Sequence, residues 1–465
     1  MTRTSRPPAL PGHWLLGNLR EFRQNMLGVY MRCARECGDI ATYSIGPRRL
    51  VFISHPEFIE QVLVTENRKF IKHYALRLLK PTLGEGLLTS DGDFWLRQRR
   101  LMQPAFSKPR VESYGPIIVD YTQKMLATWR SGETRDLHAD MMQLALSIVS
   151  KALLDVDAGE TSREVSSAIE WIMQDFNSRF QSAVPLPFGI PIPRNFELKR
   201  RVRLLESVIQ QIINDRRADG RDHGDLLSVL VHARDEQDQT GMTDRQLRDE
   251  VMTLFLAGHE TTANLLSWTW YLLATHPEVE ARVVSELDAV LAGRLPSAAD
   301  VPQLAYTEQA LLETMRLYPP AYALGRESVE ECTIGGYRFS AGTTVIMSQY
   351  VMHRDPRYFD RAEDFDPDRW SSGLMKRLPK YVYFPFGAGP RVCIGNSFAM
   401  LEAILAVATV VPRYQFSMTA HPPVVPWPSV TLRPREGIHA IVHERTRGAA
   451  SESPDHKGRA PVVPV

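Results

Sequence analysis

The chain has 465 residues, 44% of them hydrophobic and 23% charged, with a formal net charge of +1. That composition fits a globular protein with a large core, and without a basic excess it gives no footprint for nucleic acid. Four cysteines, Cys33, Cys37, Cys332 and Cys393, are too few for a disulfide framework and indicate a reducing compartment.

No Pro/Gly/Ser-rich linker interrupts Leu50 to Val442 and no repeat is visible, so one domain over 1–444 is expected rather than about three, as length suggests. The opening MTRTSRPPALPG is polar and proline-broken, with no apolar signal core and no membrane anchor, which predicts a cytoplasmic protein. Residues 26–37 and 56–66 have amphipathic helical spacing; between them ATYSIG and RLVFIS read as strands joined by the turn Gly46-Pro47. Cys33 and Cys37 share a helix face as small buried side chains, with no second pair nearby to complete a zinc site. From Trp95 to about Leu291 helical periodicity dominates, broken by the proline-rich AVPLPFGIPIPRNF at 183–196, a loop that either gates entry or simply connects two helices. The most apolar stretch, VMTLFLAGHETTANLLSWTWYLLA, is long enough to cross a bilayer, but His259 and Glu260 at its middle make it a buried helix. VPQLAYTEQALLETMRL predicts a helix and ECTIGGYRFSAGTTVIMSQ a pair of short strands about a Gly-Gly turn. The tail from Arg445, with SESPDHKGRAP, is predicted to be disordered. The fold class is mainly α with small β-sheets: a β-containing part at about 1–70, a helical body at about 71–320 and a strand-rich part at about 321–444.

Four stretches have residues suited to chemistry. In FGAGPRVCIG, 386–395, a dinucleotide fingerprint would need glycine where Val392 stands, and a phosphate loop would end in Gly-Lys-Ser/Thr rather than Cys393-Ile394-Gly395. A ligand reading fits better, because Cys393 precedes the helical pattern NSFAMLEAILAVATVV, whose amide dipoles favour thiolate, and Arg391 supplies a cation for an anionic cofactor edge. In AGHETT, 257–262, a zinc-protease motif fails at Ala263. Glu260 beside Thr261 can relay protons, and Gly258 leaves room for a bound diatomic; a satisfied polar pair in a helix groove is an equal reading of those residues alone. Glu313 and Arg316 stand three apart in ETMR and can pair. Trp95 and Arg99 in WLRQRR point together at an anion, or are a core tryptophan and a surface arginine.

FGAGPRVCIG resembles the cysteine loop of cytochrome P-450 enzymes, Phe-x-x-Gly-x-Arg-x-Cys-x-Gly, met at Phe386, Gly389, Arg391, Cys393 and Gly395. AGHETT resembles that family's oxygen-binding groove, ETMR with Pro367–Trp370 its Glu-x-x-Arg and Pro-x-Arg network, and the likeness runs from about residue 7 to 443. It implies a cytochrome P-450 fold with haem b between the long central helix and the helix after the cysteine loop, ligated by the Cys393 thiolate. By the same resemblance Phe386 shields the loop, Gly395 permits close approach, and Ala257 and Gly258 border the haem. Trp95, Arg99, Arg326 and Arg391 face its propionates, and Glu313, Arg316 and Arg369 form a structural network. Glu260 and Thr261 guide protons. The implied substrate pocket is Tyr74, Leu76, Leu79, Leu83, Phe176, Phe180, Phe255, Ala321, Tyr322 and Leu324, suited to a fatty acid, terpene or steroid; Lys72, His73 or Arg77 is a candidate for a substrate carboxylate. The expected reaction is monooxygenation using O₂, with a ferredoxin or flavodoxin and its NAD(P)H-dependent reductase as electron source. Arg97, Arg100, Lys108, Arg110, Lys376, Arg377 and Lys380 are the candidate docking face of an expected monomer. The alternatives are a peroxide-driven peroxygenase and a non-enzymatic haem-thiolate sensor or carrier.

Overall fold

The computed structural model describes residues 6–156, 160–180, 188–235, 239–371, 373–420 and 422–445. Near the N-terminus, helix Met26–Cys37 leads into β1 (Ile40–Ile45) and β2 (Arg48–Ile53), an antiparallel pair turning at Gly46, whose φ is +57°. The expected helix at 56–66 starts on Pro56, continues to Glu60 and then widens into a π-turn over Gln61–Thr65. β3 (Phe70–Lys72), β4 (Leu324–Ser328) and β5 (Thr344–Met347) complete a five-stranded sheet in the order β1-β2-β5-β4-β3. The β2–β5 pair is parallel, with Val51 opposite Val345, and β3 sets Lys72 opposite Arg326. The Gly-Gly turn joins Cys332–Ile334 to Tyr337–Phe339, with both glycines at positive φ.

The helical body supplies α1 (Gly92–Met102), α2 (Leu137–Leu154), α3 (Asp244–Thr275), α4 (Ala305–Leu317) and α5 (Asn396–Val410). α3 begins before its apolar run because Thr243 and Gln246 form a reciprocal cap at its N-terminus. Trp268 and Trp270 project from different faces of it and both are fully buried, so α3 is enclosed all round and runs through the centre of the molecule. Of the proline-rich stretch, residues 183–187 lie outside the described residues. Its end is not loop: a helix starts at Pro193 and runs to Asp219, because proline lacks only an N–H that the first turn leaves unpaired anyway. The tail from residue 446 onward also lies outside the described residues. Arg445 itself is held, donating to the Val411 carbonyl at 2.9 Å and to Glu280 Oε1 at 2.5 Å.

Candidate active site

The cysteine loop crosses between the sheet and α5. Gly387 and Gly389 have φ of +75° and +69°, and the Cys393 amide donates to the Phe386 carbonyl at 2.9 Å, closing the loop on itself. A Cβ on Gly389 would stand 2.1 Å from the Leu63 carbonyl oxygen, so the loop can lie against the π-turn only with glycine there. Gly395 is less constrained: a Cβ there would make an ordinary contact, 3.7 Å from Phe106. Phe386 packs on the main core below the loop. Cys393 presents an accessible side chain, unlike the buried Cys33 and Cys332. Its surroundings are nonetheless poorly solvating: burial raises the thiol pKa, opposed by the Gly395 amide and Arg99. The helix-start amide and Arg99 thus favour the thiolate, and burial opposes them.

Beside the cysteine loop the fold gathers the expected Arg99, Arg326 and Arg391 from three elements, and Lys72 from a fourth. Trp95 on α1 lies under the Arg391 guanidinium, 4.4 Å from ring centroid to carbon, and Arg391 also bonds Asp91 Oδ1 at 2.8 Å. Arg99, one turn along α1, donates to the Val392 carbonyl at 2.8 Å and ties α1 to the loop. Arg326 is buried on β4, donates only to the adjacent Gly325 carbonyl at 3.0 Å, and pairs with no carboxylate among the described residues. Burial, reinforced by Arg391, pushes its pKa down to about 10. Lys72, opposite it on β3, donates to the Leu87 and Ser90 carbonyls and is pushed well below its usual pKa, first by burial and then by Arg391. Against these cations stand Asp91 and Glu250, and burial raises Glu250 to about 8. The cluster is thus short of negative charge, and a group carrying two carboxylates fits its donors. Lys72 belongs to this cluster and not to a substrate carboxylate; Arg77 is paired with Glu327 at 2.8 Å, and burial holds the His73 ring near pKa 4 and neutral.

Above the loop a cavity of about 280 Å³ opens against α3. Its walls include Tyr74, Leu76, Leu79, Leu83, Phe176, Ala321, Tyr322 and Leu324, all foreseen, and α3 contributes Leu256, Ala257, Glu260 and Thr261. Phe255 is a correction. It lies in a separate apolar void with Leu154, Ile169 and Leu205, because at 100° per residue it stands about 200° round the helix from Ala257. The Phe180 side chain lies outside what the structure describes. Gly258 is a second correction: the space its missing side chain frees is filled by Val149 of α2, 3.0 Å from where a Cβ would be, so the glycine serves helix packing. Leu19, Phe22, Ile45, Arg48, Val430 and Thr431 line the cavity without a local motif to announce them.

Within the cavity wall the Thr261 hydroxyl donates to the Ala257 carbonyl at 2.6 Å, back-bonding one turn of α3. Glu260 is buried with Oε2 unpartnered, and burial raises its pKa against the charge of Arg433. His259 faces away, to the Met142 carbonyl at 3.0 Å, and is held neutral by burial.

Behind the loop, Glu313 and Arg316 are completely buried and doubly bonded, at 2.8 and 2.9 Å, with Arg369 Nε 3.2 Å from Glu313 Oε1. Trp370, whose place in the motif looked like a mild departure, donates its indole N–H to Glu313 Oε2 at 2.9 Å and is a full member of the network. The expected basic docking face is altered. Arg97 and Arg100 both pair with the buried Asp235, and Arg110 pairs with the exposed Asp222 at 3.3 Å, so these cations have carboxylate partners, whereas Lys376 and Lys380 stand exposed. No helix among the described residues is long and apolar enough to cross a membrane.

The comparisons with known proteins cover the whole of this arrangement. Residues 7–441 match the family model for cytochrome P-450. Cyclooctatin synthase of Streptomyces melanosporofaciens is 36% identical over 400 residues, 86% of this chain and 85% of its own. Cyclooctat-9-en-7-ol 5-monooxygenase of the same organism is 34% identical over 81% of this chain and 82% of its own. Pentalenene oxygenase of Streptomyces avermitilis is 32% identical over 88% of this chain and 91% of its own.

Proposed function

The chain belongs to the cytochrome P-450 family of oxidoreductases, and from that premise we propose that it is a haem-thiolate monooxygenase for a terpene-like substrate, reduced by a separate ferredoxin or flavodoxin. The observation that carries the reading is the pairing of an accessible Cys393 and an anion-seeking cluster on one side with an apolar cavity on the other, whose α3 wall carries one acid and one alcohol. Cys393 would hold the haem iron, and Trp95, Arg326, Arg391 and Lys72 its propionates. When bound, that group supplies the activation of O₂ for insertion of one oxygen atom.

The chain's own residues set the conditions for that chemistry. Leu76, Leu79, Leu83 and Phe176 exclude water and orient an apolar skeleton by shape alone. Burial favours the protonated form of the Glu260 carboxyl, from which Thr261 Oγ1 would pass a proton toward the cavity. Relatives named for oxidation of cyclooctat-9-en-7-ol and of pentalenene support the terpene class over fatty acids and steroids. The test is a binding and turnover panel of cyclic terpenes, fatty acids and steroids with NAD(P)H-driven partners, run on the parent and on Thr261→Ala. Oxidised terpene from the parent, with reductant diverted to peroxide in Thr261→Ala, is expected. Turnover confined to fatty acids would refute the substrate class, and unchanged coupling in the variant would refute the role of Thr261.

A further inference from the structure

Between the short helix Lys80–Leu83 and α1 the chain runs as a strap, Gly84–Asp91, laid on α3. The Glu85 amide donates to Asp249 Oδ2 at 2.8 Å, and the Leu87 amide donates to Glu250 Oε2 at 2.9 Å. Glycine makes that approach possible: a Cβ on Gly84 would collide with the Asp249 carboxylate, and one on Gly86 with Thr253 Oγ1. The strap is also tied to itself, Thr89 Oγ1 donating to the Gly84 carbonyl at 2.7 Å and Ser90 Oγ to the Gly86 carbonyl at 2.9 Å. Its far end is held by the cation cluster, where Lys72 donates to the Leu87 and Ser90 carbonyls and Arg391 to the Ser90 carbonyl at 3.2 Å. Asp249 cannot swing aside, because Arg248 Nε holds its other oxygen at 2.8 Å and is itself paired with Glu206 at 2.6 Å.

Glu250, Thr253, Ala257 and Thr261 recur at helical spacing and form one stripe of α3. The strap covers the first two of them, and the cavity opens on the last two, with Leu83 and Leu88 among its walls. Neither Asp249 nor Glu250 lines the cavity, and both are buried, so water cannot replace them as acceptors for the strap amides. We infer that Asp249 and Glu250 are positioning residues for substrate selection: by holding the Glu85 and Leu87 amides they fix the distance of the strap from α3, and with it the width of the cavity between Leu83, Leu88 and Ala257. This rests on the reading of that cavity as the substrate site. A wall pinned by buried hydrogen bonds favours a rigid cyclic skeleton that matches its shape, whereas a looser wall gives up that match and accepts a flexible chain nearly as well.

The experiment uses the haem-loaded enzyme and two terpene alcohols of equal carbon count, the rigid cyclic cedrol and the flexible linear farnesol. Amide hydrogen exchange of the strap, followed by mass spectrometry, is read beside the dissociation constants of both probes. Glu250→Leu removes the acceptor of the Leu87 amide, and Glu250→Gln keeps one. In the leucine variant the strap is expected to exchange about tenfold faster, by loss of one buried hydrogen bond, and the preference for cedrol over farnesol to fall about tenfold. Glu250→Gln should match the parent in both. Should the leucine variant fold poorly, Asp249→Ala against Asp249→Asn puts the same question to the Glu85 amide. A leucine or alanine variant with the parent's preference overturns the inference, as does exchange that rises equally in β1 and β2, which marks general loosening. If the parent binds neither alcohol but binds dodecanoic acid, the terpene reading is what fails; a change in that affinity in Glu250→Leu but not in Glu250→Gln then upholds the positioning role, and no change overturns it.

Discussion

Replacing Glu313 with glutamine keeps the shape of a buried side chain and deletes its charge. The two carboxylate oxygens accept five donors: Arg316 Nε and Nη2, Arg369 Nε, Trp370 Nε1 and the Asp366 amide. Arg316 cannot follow the change by turning to water, because its guanidinium is also fixed by the carbonyls of His353, Ala362 and Asp364. The variant therefore leaves a fully buried cation short of its counter-charge, and an amide N–H₂ facing donors. Breaking one partner of a buried ion pair costs about 3–5 kcal/mol, and the fixed Arg316 places this case toward the upper end. With an unfolding entropy of about 2 cal/mol/K per residue over a domain of this length, about 4–5 kcal/mol lowers the unfolding midpoint by about 5 °C. Thermal unfolding of the haem-loaded protein, followed by far-ultraviolet circular dichroism, measures it. Arg316→Met and the double variant complete a cycle, in which the double variant should lose less than the two single losses combined, since it leaves no stranded charge. A midpoint for Glu313→Gln within about 1 °C of the parent, or strictly additive losses, would refute the argument.

Three further outcomes follow from the geometry. Glu250 has its pKa raised from 4.5 to about 8, chiefly by burial, so it favours the folded state while protonated; that contribution is complete below 4.5 and fades as pH rises through about 8. Glu250→Gln should thus gain stability relative to the parent on going from pH 5 to about pH 9 in urea titrations, and a pH-independent difference would contradict the burial argument. Gly389→Ala, forced against the Leu63 carbonyl at positive φ, should lose the carbon monoxide difference band of the reduced haem-thiolate form, while Gly395→Ala keeps it; equal behaviour of the two would show that the close approach is not limiting. Charge reversal at Lys376 and Lys380 should slow reduction by an acidic ferredoxin and flatten its salt dependence, whereas Arg97→Glu should chiefly lower the unfolding midpoint by opposing Asp235; stopped-flow reduction and unfolding curves distinguish the two, and identical effects would refute the division.

Much of the site was readable because its signals are local. The cysteine loop places its glycines, arginine and cysteine within ten residues, and the pairs Glu313–Arg316 and Trp95–Arg99 sit at helical spacing, so the periodicity of the backbone alone sets their faces. Helix and strand positions followed from the same periodicities, down to the Gly46 and Gly-Gly turns. Periodicity does not say which face of α3 meets the cavity. Phe255 and Ala257 were both expected in the cavity wall although about 200° of helix separates them; packing decided that Ala257 meets the cavity, Phe255 a separate void and Gly258 the side chain of Val149.

The sequence by itself determined the chemistry on offer, since a side chain's donors, charge and helical phase are properties of a few neighbouring residues. Only the tertiary structure decided which groups act together: Thr431 meets Asn264 across 167 residues of chain, and Lys72 joins Arg326 through a strand register. It also shifted their pKa values, because burial, which raises Cys393, Glu250 and Glu260 and lowers Lys72 and Arg326, exists only once distant segments have closed over them.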